Sequence, residues 1–130
     1  MSINYSLLIN EAQKAISKGF YAKRIPQKRY GAAVLTDKGN IYTSGQYSSF
    51  NHITSIHAEM GAILCATMNN DPNIIALALT STFKESIRCC GVCLQFIKEH
   101  CKRTGIDMEI IYDGNEIIHI KQSVLTNNMW

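Results

Sequence analysis

Two short segments, His57-Ala58-Glu59 and Cys90-Gly91-Val92-Cys93, carry residue types that bind a metal and move a proton. One imidazole and two thiolates are three ligands of the kind zinc takes. Three protein ligands leave the fourth tetrahedral position open for water, whereas a structural site fills it with another Cys or His. Glu59, two residues past the first ligand, is then available for proton transfer. The chemistry is hydrolytic. One neutral His and two thiolates around Zn²⁺ give a site without net charge, so the ion is a stronger Lewis acid than three thiolates would make it.

The elements that must position these residues alternate between helix and strand. Tyr5, Leu8, Ala12, Ala15 and Ile16 fall on one helical stripe that Gly19 ends, and Pro26 marks a loop. Residues 30–35 and 41–43 read as a hairpin across Asp37-Lys38-Gly39-Asn40. A helix runs from His57 to about Asn69 with Leu64, Cys65 and Met68 as its apolar positions, closed by Asn70-Asp71-Pro72. The continuous apolar run from Ile74 to Leu79 predicts a mid-sheet strand covered on both faces. A second helix runs from about Gly91 to Cys101, and residues 108–112 and 117–120 are strands separated by Asp113-Gly114-Asn115-Glu116. So short a connection makes them antiparallel. This order puts both metal segments at helix N-termini, where the partial positive charge favours the thiolate form of Cys90 and Cys93.

A chain of 130 residues with 46% hydrophobic content predicts one domain, 1–130, with a single core and no need of disulfides. The five cysteines are an odd number with three crowded together, which fits reduced thiols and metal ligation. Residues 1–5 lack the pattern of a signal peptide and no apolar run reaches the length of a span, so a cytoplasmic protein without membrane contact is expected. A net charge of +3 is too small to indicate a polyanion-binding surface.

On His57-Ala58-Glu59, Cys90-Gly91-Val92-Cys93-Leu94-Gln95, Gly31-Ala32-Ala33-Val34-Leu35, Gly39-Asn40-Ile41-Tyr42 and Gly45, the chain resembles the cytidine deaminase superfamily. The closing hairpin places it in the nucleoside-type branch, since members acting on polynucleotides set a helix between the last strands. The likeness implies a three-layer α/β/α fold with a five-stranded mixed sheet and antiparallel last two strands. It also implies one zinc per chain, held by His57, Cys90 and Cys93. The activity implied is deamination of a cytosine-type nucleoside or analogue with release of ammonia. Metal-activated water would attack the amidine carbon, while Glu59 protonates the ring nitrogen and relays a proton to the leaving ammonia. The backbone near Cys89 and Ala58 would hold the exocyclic group and the ring carbonyl. Tyr47 and Ser49 stand where relatives carry the Asn and Glu that hold the ribose, and the spacing from Gly45 to His57 resembles blasticidin S deaminase. The resemblance further implies a homotetramer, with a dimer as the alternative, and a C-terminal tail ending on Trp130 that reaches a neighbouring site.

The chain departs from the family pattern at several positions. Cys89 replaces a proline, His57 replaces the branch's usual Cys, Lys28 replaces an aromatic, and Leu94 replaces an Arg. Cys89 is either a packed substitute for proline or a fourth ligand. Cys65 and Cys101 read as core thiols, and His52, His100 and His119 as surface or strand residues. The basic run from Lys23 to Arg29 reads as a solvated loop or, more sharply, as a contact for a phosphate-bearing substrate. The alternatives to a cytosine-nucleoside deaminase are an enzyme for another amino-heterocycle (aminopurine or nucleotide), a polynucleotide editor and a zinc module without catalysis. The last leaves Glu59 without a task. A small-molecule partner and no nucleic-acid polymer are expected.

Overall fold

The computed structural model describes residues 2–22, 28–51, 53–85 and 87–127. Along the chain these form α1 (Tyr5–Ala15), β1 (Phe20–Tyr21), β2 (Tyr30–Thr36), β3 (Ile41–Gly45), β4 (Tyr47–Ser48), α2 (Ala58–Met68), β5 (Ile74–Ser81), α3 (Gly91–Thr104), β6 (Glu109–Asp113), β7 (Ile117–Lys121) and α4 (Gln122–Thr126). Five strands make one sheet in the order β3-β2-β5-β6-β7, and β1 pairs with β4 in a separate parallel ribbon. Only β5 and β6 run parallel in the large sheet; β2 is antiparallel to both β3 and β5, and β7 to β6. The expected mixed sheet with an antiparallel final pair is present, and β5 lies at its centre.

Side-chain alternation assigns the two faces. Leu8, Ile9 and Ala12 of α1 pack on Ala33, Leu35, Ala76, Ala78 and Ile111. The intervening residues Ala32, Val34, Leu77, Leu79, Ile110 and Tyr112 face α2 and α3 on the other side. Burial on both faces is why β5 reads as an unbroken apolar run. The α1 helix starts at Asn4, whose side chain accepts from the Leu7 N–H at 3.1 Å, and a 3₁₀ turn over Ile16–Lys18 carries it to Gly19.

Two glycines meet conformational demands that matter for the site. Gly39 has φ +84° in the β2–β3 turn, where a side chain would be strained. A Cβ on Gly61 would collide with the Ser44 side chain, so glycine lets α2 lie close against β3. That proximity corrects the expected stripe of α2. The residues buried are Ala58, Glu59, Ala62, Ile63 and Ala66, while Leu64 and Cys65 are half-buried and Met68 is 75% exposed. Three alanines and Ile63 make up the buried apolar face, and Leu64 and Met68 stand outside it. Cys65 is therefore not a core thiol, although Cys101 is buried as expected. No helix among the described residues is long and apolar enough to cross a membrane.

Candidate metal centre and its cavity

Both site helices begin on a candidate metal ligand. His57 is the N-cap of α2 and Cys90 the N-cap of α3, and neither makes the side-chain capping bond usual for Ser, Thr, Asp or Asn there. Their carbonyls already accept the first helical bonds, from Gly61 and Leu94 at 3.0 and 2.9 Å. The side chains are thus aimed by the helix start and left for other use. Cys93 follows within the first turn of α3, on the buried side.

His57 Nδ1 lies 3.0 Å from Cys93 Sγ and 3.3 Å from Cys90 Sγ, and the three ligand atoms all fall within 4.8 Å of one another. A tetrahedral ion with Zn–S near 2.3 Å and Zn–N near 2.0 Å sets such atoms roughly 3.5 Å apart. The donor set of one imidazole and two thiols suits zinc in both spacing and chemistry. Burial pushes the Cys93 thiol well above its ordinary range, and the Glu59 carboxylate adds to the effect, so this sulfur needs a cation beside it to ionise. Among the described residues, His57, Cys90 and Cys93 are the one group of three that could hold a metal.

Cys89 is not in that group, which removes the fourth-ligand alternative. Its thiol is buried and pushed well up, by burial first and by the neighbouring Glu59 charge second. The Tyr112 hydroxyl oxygen lies 3.3 Å from the Cys89 amide and accepts from it. Glu59 itself is 4% exposed, in the first turn of α2, where the helix dipole favours a carboxylate.

A cavity of about 230 Å³ opens over this floor of His57, Glu59 and Cys90. Its walls are Tyr30, Gln46, Ser55 and Arg88. The sequence reading placed the contacts at Tyr47, one residue past Gln46, and at Ser49, six residues before Ser55. The reason is a lone β-bridge in which Tyr47 and Ile56 exchange two N–H···O bonds of 2.8 Å. Period-two alternation then puts Gln46, Ser55 and His57 on one face and Tyr47 and Ile56 on the other. Tyr47 stacks on Phe20 instead, with ring centroids 4.8 Å apart, and Ser49 donates its hydroxyl to the Thr54 carbonyl. Ala58 is fully buried in the core and, like Cys89, does not line the cavity. Trp130 lies outside the described residues, as do Met129, His52 and the 23–27 part of the basic run, including Pro26.

Among the described residues, the other two histidines lie outside the candidate metal group. His100 is not on the surface: it is buried on α3, with Nε2 2.7 Å from the Pro72 carbonyl and Nδ1 3.2 Å from Arg103. Burial lowers its pKa. His119 sits on β7, edge-on to the Tyr5 ring at 4.5 Å.

Residues 4–106 match the family described as the cytidine and deoxycytidylate deaminase zinc-binding region. Similar solved structures include a mutant of the cytidine deaminase from Mycobacterium tuberculosis, at 18% identity and TM-score 0.80 over 99% of each chain. The cytidine deaminase from Burkholderia pseudomallei is 18% identical with TM-score 0.80, over 95% of this chain and 96% of that one. That from Bacillus anthracis is 20% identical with TM-score 0.69, over 96% and 88%. No curated protein matches the sequence.

Proposed function

The chain belongs to the cytidine and deoxycytidylate deaminase family, and from that premise we propose that residues 1–130 are one zinc-dependent domain that deaminates a cytosine-type nucleoside or analogue. The observation that carries the reading is the place of Glu59. It is a buried carboxylate outside the ligand group, yet it lines the same small cavity as His57 and Cys90. His57, Cys90 and Cys93 would hold the zinc ion, which would supply Lewis acidity to a bound water.

Glu59 accepts a proton from the incoming water and delivers it to the ring nitrogen next to the carbon under attack. It then passes the second water proton to the departing amino group, so amine and water become carbonyl and ammonia. Cys89 stays a neutral thiol, kept so by its burial and by the Glu59 charge. Gln46 and Ser55 supply polar atoms to the substituent on the ring. The cavity is smaller than the roughly 300–1,000 Å³ of sites that enclose drug-sized ligands, which suits a single heterocycle with its substituent at the mouth. The three-residue turn between β6 and β7 supports a small substrate over a polynucleotide.

Homotetrameric assembly is part of the proposal. A groove lined by Leu64, Met68 and Phe96 on the outer side of α2 and α3 supports self-association, and light scattering measures it. Deleting Met129 and Trp130 tests whether the tail completes a neighbouring site. A cytoplasmic location is proposed with it, and cell fractionation tests that. The test of activity is ammonia release by the zinc-loaded protein from cytosine, cytidine, deoxycytidine, their monophosphates, blasticidin-type nucleosides and aminopurines. No release from any cytosine nucleoside overturns the reading.

A further inference from the structure

We infer that Arg88 selects substrates bearing an oxyanion, a phosphate or a carboxylate, on the part of the molecule that stays at the cavity mouth. The inference rests on the deaminase reading and adds to it the charge of the substrate. Glu59 is buried and Arg88 is exposed, yet both line the one cavity, which therefore runs from a carboxylate at its floor to a guanidinium at its rim. The reacting amino group belongs at the floor, so whatever the heterocycle carries meets Arg88.

The guanidinium is held in place before any ligand arrives. Its Nη1 donates to the Ile87 carbonyl at 2.7 Å, and its central carbon lies 5.6 Å from the centroid of the Tyr112 ring. One carbonyl and one ring face use a minority of its five N–H donors. Glu85 and Glu116 line the hollow on its other side, but no ion pair among the described residues involves Arg88. A fixed, forked donor with N–H groups to spare suits the planar oxygens of a carboxylate or phosphate.

The surrounding charge agrees. Among the described residues Glu59 is the only carboxylate in the cavity lining, and a zinc ion with two thiolates and an imidazole would add no net charge. A second cation stands close by, since the Lys28 ammonium lies 5.5 Å from the ring centroid of Tyr30, which forms part of the wall. The rim therefore presents positive potential to an approaching ligand.

The test is calorimetric binding of cytidine, cytidine 5′-monophosphate and cytidine 5′-carboxylate to the zinc-loaded Glu59→Gln protein, with and without Arg88→Gln. At least one anion is expected to bind about tenfold or more tighter than cytidine, and Arg88→Gln to erase about tenfold of that ratio. The preference should shrink as salt is raised, and Arg88→Lys should keep part of it. Whichever anion gains more identifies the group. Equal affinities, a preference that survives Arg88→Gln, or no binding of any of the three overturns the inference. Ammonia assays on the wild-type protein separate the two ideas. Turnover without an anion preference sinks this one alone, whereas Arg88-dependent anion binding without ammonia from any substrate sinks the deaminase reading alone.

Discussion

At the floor of the cavity, His57 and Cys90 begin helices of 11 and 14 residues, and their side chains are aimed by backbone bonds that the helices make in any case. At its wall, Gln46 and Ser55 flank a single β-bridge, and the loop between them is tied by side chains: Ser49 N to Ser55 Oγ, Thr54 N to Asn51 Oδ1, Ser55 Oγ to the Asn51 carbonyl. Regular structure fixes the chemistry. Irregular structure fixes what is admitted to it. Substitutions at the floor should therefore be severe and substrate-blind, and those at the wall should be mild and substrate-dependent.

The largest expected effect is Cys93→Ser. Zinc should fall from about one per chain to a small fraction and turnover should fall to background, measured by metal analysis beside ammonia release. Stoichiometric zinc in that variant would place the ligands elsewhere and remove the basis of the comparison. Glu59→Gln comes next, with zinc retained and kcat lowered about 10²–10⁴-fold on every substrate, because an amide cannot shuttle protons. A loss confined to one substrate would make Glu59 a recognition residue.

At the wall, Gln46→Ala and Ser55→Ala should lower kcat/KM by about 2–10-fold, through KM and unequally across substrates, as for loss of one hydrogen bond. Tyr47→Phe and Ser49→Ala should change it less, since those side chains do not line the cavity. The reverse ranking would mean that the bridge shifts register when substrate binds.

These contrasts also separate what was legible in the sequence from what was not. The meeting of His57, Cys90 and Cys93, with Glu59 lining the same cavity, could be anticipated because a helix start fixes the meaning of a spacing. The wall could not, because a one-residue slip in a strand pairing moves every side chain to the other face, and no hydrophobic pattern over residues 46–56 specifies the register. The two hairpins and the mid-sheet place of the apolar run followed from apolar runs and short turns, with β5 the clearest case. The stripe of α2 was misjudged for a different reason: Ala58, Ala62 and Ala66 are less apolar than Leu64 or Met68, but only small residues fit where Gly61 meets Ser44. His100 looked like a surface residue because nothing local announces that Pro72 and Arg103 satisfy both its nitrogens.

The smallest expected effect on turnover is at Asp113, which does not line the cavity. Burial alone would raise its carboxyl, but hydrogen bonds from Lys84, Gln13 and Thr80 outweigh burial and hold it below the usual carboxylate range. Its contribution to stability is full above the unfolded value of about 3.9 and is lost as pH falls through the lowered folded value. Asp113→Asn should cost about 1–3 kcal/mol at neutral pH, flatten the acid limb of a denaturation series, and leave KM unchanged. A change in KM would tie this region to the site.

Because each site helix starts on a metal ligand, the ion would behave as a cross-link in the polymer sense. It joins positions 33 residues apart, as a disulfide would. Closing a loop of that length removes about 3–4 kcal/mol of freedom from the unfolded chain in the loop-entropy description. Nucleation of α2 and α3 would then become one event instead of two. In the apo protein the first-turn amides of the two helices should exchange with solvent independently of one another, and in the loaded protein they should be protected together.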